Sequence, residues 1–238
     1  MKFALGFISI IAAFGLGWLL KPVDKIAPPK PGRIVGELTD LARLTGTDYS
    51  FQKVIEETCE VYLLEYDPGN PAHRAIRAAI VEASEIVRRE LSKKGSALRE
   101  KRRVNEASRF FEDALLAEID GRAALSCRIP RNSEGKEQRS GYPDLRIEHL
   151  ESGTVAYLDP KLFEEGSRDS SFRTFYYEPS KRIKVNEDAL HFLVGFPHDG
   201  KSQEWTFGTP DIVDLSKLTV NLKTEFSASN RELYRKQP

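Results

Sequence analysis

The apolar periodicity of the chain changes at Gly121, and this change limits the fold more than any other feature of the sequence. Before it, residues 72–91 carry Ile76, Ala79, Ile80, Ala83, Val87 and Leu91 at three-and-four spacing, and residues 102–119 repeat the pattern with Val104, Ala107, Phe111, Ala114 and Leu115. That spacing puts one apolar stripe on each of two helices. Gly121 then serves as a helix stop. After it come short segments rich in Val, Ile, Phe and Tyr, divided by Gly, Pro, Ser and Asn, the texture of strands. Residues 123–129, 142–150, 154–163, 172–179, 190–196 and 204–215 are read as strands, with Glu151-Ser152-Gly153 turning an antiparallel hairpin. Earlier, residues 38–46 and 51–66 also read as helical, broken by the Asp67–Pro71 stretch. The expected class is α/β, a mixed central sheet flanked by helices.

Ahead of this lies a different kind of segment. Residues 3–20 are eighteen consecutive uncharged, mostly apolar residues, about 27 Å as a helix against a hydrocarbon core of about 30 Å. They are expected to form an uncleaved membrane helix; the alternative is a signal segment cut near Gly15-Leu16-Gly17. Lys2 precedes the run while Lys21, Lys25, Lys30 and Arg33 follow it, a balance that favours a cytoplasmic face for the remainder. If the segment is cleaved, the domain is periplasmic or secreted. Residues 21–33 are Pro-rich and extended, a semi-rigid spacer. The organisation is therefore expected as an anchor or signal over 1–20, a linker over 21–33, a helical region over 34–101 and an α/β core over 102–238.

Charge excludes one class of partner surface. Thirty-six basic residues balance thirty-six acidic ones, so no field over the whole molecule gathers nucleic acid, and any polyanion site must be local. Two cysteines, Cys59 and Cys127, exclude a disulfide scaffold and a four-cysteine zinc site. They are expected as free buried thiols in the cytoplasm, or as a pair if exported.

The hairpin carries the chemistry. Pro143-Asp144 lies on its first strand and Asp159-Pro160-Lys161 on its second. Residues two apart on a strand share a face, so Asp159 and Lys161 point together and the hairpin can bring Asp144 beside them. Two carboxylates and an ammonium suit phosphodiester hydrolysis, with the carboxylates holding Mg²⁺ or Mn²⁺ through oxygen. Glu134-Gly135-Lys136 and Asp199-Gly200-Lys201 have the same acid-x-Lys spacing but lie in Gly-containing loops, and Pro210-Asp211 has no such triplet after it.

Through Asp144, Asp159 and Lys161, in that order, the sequence resembles the PD-(D/E)xK nuclease superfamily over roughly residues 102–196. The resemblance implies a restriction-endonuclease-like fold and a metal-dependent nuclease acting on DNA, with RNA as the other substrate class. It also implies a further carboxylate from the preceding helix, carried to Glu106, with Glu112 the weaker choice. A backbone carbonyl ligand from the middle residue of the triplet falls on Pro160, and a proline there is expected to sit at a bulge.

Arg173, Tyr176, Lys181 and Arg182 are candidates for gripping phosphates and stacking bases. Arg74, Arg77, Arg88 and Arg89 are read as a solvated helix face, and His191 as a core histidine. The partners expected are nucleic acid, the membrane through residues 3–20, and a second copy of the chain as a homodimer. The competing reading is a catalytically silent nuclease-like domain that binds a protein or nucleic-acid partner at the membrane.

Overall fold

The computed structural model describes residues 44–45, 47–100, 104–170, 175–179, 182–200 and 204–223. The apolar run 3–20 and the spacer 21–33 lie outside them. Among the described residues no helix is long and apolar enough to cross a membrane. From Thr45 onward these residues belong to one compact unit.

Among the described residues, three α-helices and eight strands follow in order: β1 (Asp48–Ser50), α1 (Phe51–Cys59), β2 (Leu63–Leu64), α2 (Pro71–Leu91), α3 (Val104–Asp120), β3 (Leu125–Arg128), β4 (Leu145–His149), β5 (Thr154–Glu164), β6 (Ala189–His198), β7 (Asp211–Asp214) and β8 (Thr219–Asn221). The main sheet runs β2-β6-β5-β4-β3, with β7 also paired to β6. β3, β4 and β5 form an antiparallel meander, β5 and β6 are parallel, and β7 returns antiparallel on β6. The sheet is therefore mixed. β1 and β8 make a separate two-stranded sheet.

Alternation along the strands separates two cores. Leu145, Ile147, Ala156, Leu158, Phe192, Val194 and Phe196 meet the apolar stripes of α2 and α3. On the other face Val155, Tyr157 and Ala189 meet Phe51 and Ile55 of α1. α2 starts as its sequence dictates: Pro71 stands at its first turn and the Asn70 side chain accepts from the Ala72 and His73 amides, a cap stabilising by about 1 kcal/mol. The arginines of α2 serve the fold itself. Arg74 donates to the Pro68 and Gly69 carbonyls, Arg77 lies over the Tyr66 ring, and Arg88 binds Glu85 and the Phe207 carbonyl.

Three expectations need correction. The helical pattern over 51–66 stops at Cys59, because Glu60 adopts a left-handed conformation (φ 59°) and the next residues pair with β6 as β2. In the segment 172–179, the described residues 175–179 form no strand. Phe175 and Tyr177 instead pack edge-on against Phe51, at 5.2 and 5.6 Å between ring centres. Tertiary packing of the rings thus wins over strand propensity. From 204–215 only β7 is regular, joined upstream by a bridge between His198 and Phe207. Cys59 and Cys127 are both buried free thiols, and burial pushes the Cys127 thiol up to about 12.

His191 is fully buried on β6 beside Tyr157, and its Nδ1 meets the Tyr142 hydroxyl at 2.6 Å. Burial lowers its pKa to about 3. The folded imidazole thus stays neutral while the unfolded one, at about 6.5, takes a proton. Stability conferred by the neutral ring is complete above pH 6.5 and should fall by up to about 1.4 kcal/mol per pH unit as pH drops toward 3. Denaturant titrations of His191→Gln should show a shallower slope in that window; an unchanged slope would assign the acid sensitivity to other groups.

Candidate active site

The hairpin β4–β5 builds the site. Its register pairs Leu145 with Leu158 and Arg146 with Tyr157, and Asp144, just ahead of β4, lies close enough to Asp159 for the charge of Asp159 to act on it. The Asp144 amide donates at 3.2 Å to the carbonyl of Leu158, the residue that Leu145 faces in the ladder, and this keeps Asp144 against β5. Lys161 forms an ion pair with Asp159 Oδ2.

Burial makes this group costly. Asp159 is 2% exposed, and apart from the ion pair its Oδ2 has no hydrogen-bond partner. Burial first, and then the charge of Asp159, push the Asp144 carboxyl up to about 8. Two carboxylates share a poorly hydrated space, and the charge of Asp159 disfavours ionisation of Asp144.

Pro160 sits in the ladder without a bulge. β5 and β6 keep one register from Ala156↔Leu190 to Glu164↔His198, Pro160 facing Val194. Because the Leu158 carbonyl accepts from Asp144, even-numbered residues of β5 turn their backbone polar groups toward β4. The residue opposite Pro160 on that side is Pro143, beyond the end of β4. The missing N–H therefore costs no ladder bond, and the Pro160 carbonyl opens on the side where Asp144 lies.

α3 brings a third carboxylate, Glu112. It is 17% exposed at its side chain, and burial, above all, raises its pKa, with Asp159 adding to the rise and Arg139 and Lys161 opposing it. Glu106 is exposed in the first turn of the same helix. Six residues separate the two, which places them about 120° apart around the axis at roughly 100° per residue. Glu112 is thus the helix carboxylate whose electrostatics join those of Asp144, Asp159 and Lys161. Among the described residues no three His, Cys, Asp or Glu side chains are gathered so as to hold a metal ion by themselves. Two carboxylates and a backbone carbonyl, Asp144, Asp159 and Pro160, are the kind of oxygen donors that would suit a hard cation keeping most of its waters.

The remaining candidates scatter. Arg173 and Lys181 lie outside the described residues. Tyr176 is exposed, and Arg182 donates to Glu134 Oε1 at 3.2 Å. Of the rival triplets, Glu134 and Lys136 form an exposed pair, while Asp199 receives the Thr206 hydroxyl and amide. Asp211 pairs with Arg168. A cleft of about 530 Å³ beyond the carboxyl ends of β5 and β6, lined by Arg168, His198, Asp199 and Asp211 among others, includes none of Asp144, Asp159 and Lys161.

Lys184 has no signal in the sequence that marks it, yet it is 2% exposed and its charge is felt by Asp144, Asp159 and Glu112. Nearby, Arg146 is clamped between Glu187 and Glu148, tying the 182–188 segment to β4.

Comparison with known proteins adds an independent finding. Residues 44–237 match the model of the type II restriction enzyme MjaV family. Over 114 residues the chain is 39% identical to the type II restriction enzyme MjaV of Methanocaldococcus jannaschii, covering 45% of this chain and 50% of that protein. The chain thus spans about half the length of that curated relative. No solved structure matches.

Proposed function

We propose, from the premise that this chain belongs to the type II restriction enzyme MjaV family, that it is a divalent-metal-dependent DNA endonuclease of the PD-(D/E)xK kind. The observation that carries this reading is the closeness of half-buried Asp144 to buried Asp159, with Lys161 ion-paired to Asp159. A pair of repelling, poorly hydrated carboxylates, of which Asp159 Oδ2 has only the Lys161 ammonium against it, is costly as structure and apt as a cation seat.

In this reading Asp144, Asp159 and the Pro160 carbonyl hold Mg²⁺ or Mn²⁺. The ion, when bound, supplies Lewis acidity at the scissile phosphate and favours ionisation of water near it. Lys161 holds the attacking water against the phosphorus and neutralises charge that develops on the phosphate oxygens. Glu112, half-buried and within electrostatic reach of Asp159 and Lys161, orients that water or a second cation. Arg182 and Tyr176 lie exposed for phosphate and base contacts, and Arg173 and Lys181 join them as sequence candidates.

Supercoiled plasmid is the direct test, with single-stranded DNA and RNA alongside. Cleavage of duplex DNA should require Mg²⁺ or Mn²⁺ and stop in EDTA; activity that survives EDTA would refute the metal-dependent reading. In the same assay Glu112→Gln should lose at least about tenfold, about 1.4 kcal/mol of barrier, while exposed Glu106→Gln stays within about twofold. The reverse order would return the helix carboxylate to Glu106. The tether is part of the proposal: residues 3–20 hold the enzyme at a membrane, with its cytoplasmic face favoured. Removing residues 1–20 should move the protein from the membrane fraction to the soluble one. A homodimer would set two such sites against the two strands of a duplex, and sedimentation reads that state.

A further inference from the structure

A lysine ammonium has three N–H donors, and those of Lys184 all meet backbone carbonyls: Gly141 at 2.5 Å, Gln138 at 3.2 Å and Arg139 at 3.4 Å. No carboxylate takes a hydrogen bond from it in this arrangement, so the charge is spent on one turn of backbone rather than offered to a ligand. Burying an ammonium is costly unless it is fully hydrogen-bonded, and burial lowers the pKa of Lys184 accordingly.

The turn it holds leads in two directions. Along the chain, 138–141 runs directly into Asp144. Sideways, Arg139 of the same turn reaches Asp113 at 2.8 Å and Glu112 at 3.6 Å on α3. Lys184 itself is fastened by its neighbours. The Ile183 carbonyl accepts from the Ser133 amide, Asn186 meets the Tyr157 hydroxyl, and Glu187 takes both nitrogens of an Arg146 fork. The segment that carries the ammonium is therefore pinned to β4 and β5, the strands that carry the two aspartates.

We propose that Lys184 is a positioning residue of the cleavage site: its ammonium fixes the 138–141 turn, and through it sets Asp144 along the chain and Glu112 by way of Arg139. The inference rests on the nuclease reading of the site and adds a residue that touches neither metal nor substrate. Its work is preorganisation, which holds a constellation within the fraction of an ångström that catalysis needs.

Lys184→Met, made in the full chain, removes the ammonium and keeps the length of the stem. In metal-free protein, amides over 138–144 should exchange at least tenfold faster while those of α2 and β6 keep their protection. In Mn²⁺ calorimetry the half-saturating concentration should rise at least tenfold. A purely structural lysine would lower the melting temperature and leave Mn²⁺ half-saturation of the folded protein unchanged, and that result overturns the proposal.

Because the variant strips three carbonyls of their donor, a second one disturbs the same turn from outside. Gly141 is exposed at φ +79°, with nothing within 4 Å of an added Cβ. A β-branched side chain finds room there but cannot hold that backbone. Gly141→Val should raise Mn²⁺ half-saturation at least threefold with Lys184 intact; an unchanged value would overturn the proposal even if Lys184→Met does not fold. Wild-type protein that neither binds Mn²⁺ nor cuts DNA would refute the nuclease reading instead. The amide-exchange arm needs neither, so it still reads whether Lys184 fixes the turn.

Discussion

Asp159→Asn should reduce metal-dependent DNA cleavage at least about a thousandfold, a loss of about 4 kcal/mol of transition-state stabilisation. The substitution keeps the shape of a side chain that is 2% exposed, so the loss comes from charge. Asp144→Asn should do the same, since each aspartate supplies half of the carboxylate pair. Both should weaken Mn²⁺ binding in calorimetry. Stability should move the other way. In the fold Asp144 is raised to about 8, against about 3.9 for an unperturbed aspartate. Such a group costs stability as pH rises from about 4 through 8, because the unfolded state releases its proton first. Removing the repelling neighbour relieves part of that cost. In EDTA at pH 8, Asp159→Asn should therefore melt no lower than wild type. Cleavage retained within tenfold would return Asp159 to the role of a buried structural acid.

Lys161→Ala should separate two kinds of work. Its side chain is 30% exposed and its ion-pair partner is Asp159, so its loss removes a cation beside the metal seat and no ligand from it. Cleavage should drop about a hundredfold or more, while Mn²⁺ affinity stays level or strengthens through reduced repulsion. Calorimetry and cleavage on the same preparation give both numbers. Parallel loss of the two would mean that Lys161 holds the fold of the site rather than its chemistry.

How much of this was legible before folding follows from the range of the forces involved. Helices α2 and α3 were readable because Ile76, Ile80, Ala83 and Val87, and Ala107, Phe111 and Leu115, repeat at helical period and are all buried. The β4–β5 hairpin was readable because alternation runs up to a turn at Gly153, which takes φ +68°. Once that turn is set, the hairpin brings Asp144 within reach of the Asp159 charge, so the closeness of the two aspartates was also readable.

The remainder depends on partners far along the chain. Residues 63–64 were taken into a helix because their pairing with Ala189 and Leu190 leaves no local trace. Aromatic propensity suggested a strand at Phe175 and Tyr177, but α1 offers Phe51 as a packing partner. Glu106 and Glu112 are equivalent by type and helix; only the sheet against which α3 lies distinguishes the exposed from the half-buried acid. Lys184 finds its three carbonyls more than forty residues upstream, and no local pattern records that. The sequence by itself determined the periods, the hairpin and the acid-x-Lys face, because those are set by neighbouring residues and backbone geometry. Only the tertiary structure decided which carboxylate of α3 comes within electrostatic reach of Asp159 and which lysine is buried against the 138–141 turn, because desolvation and long-range pairing exist only once the chain is folded.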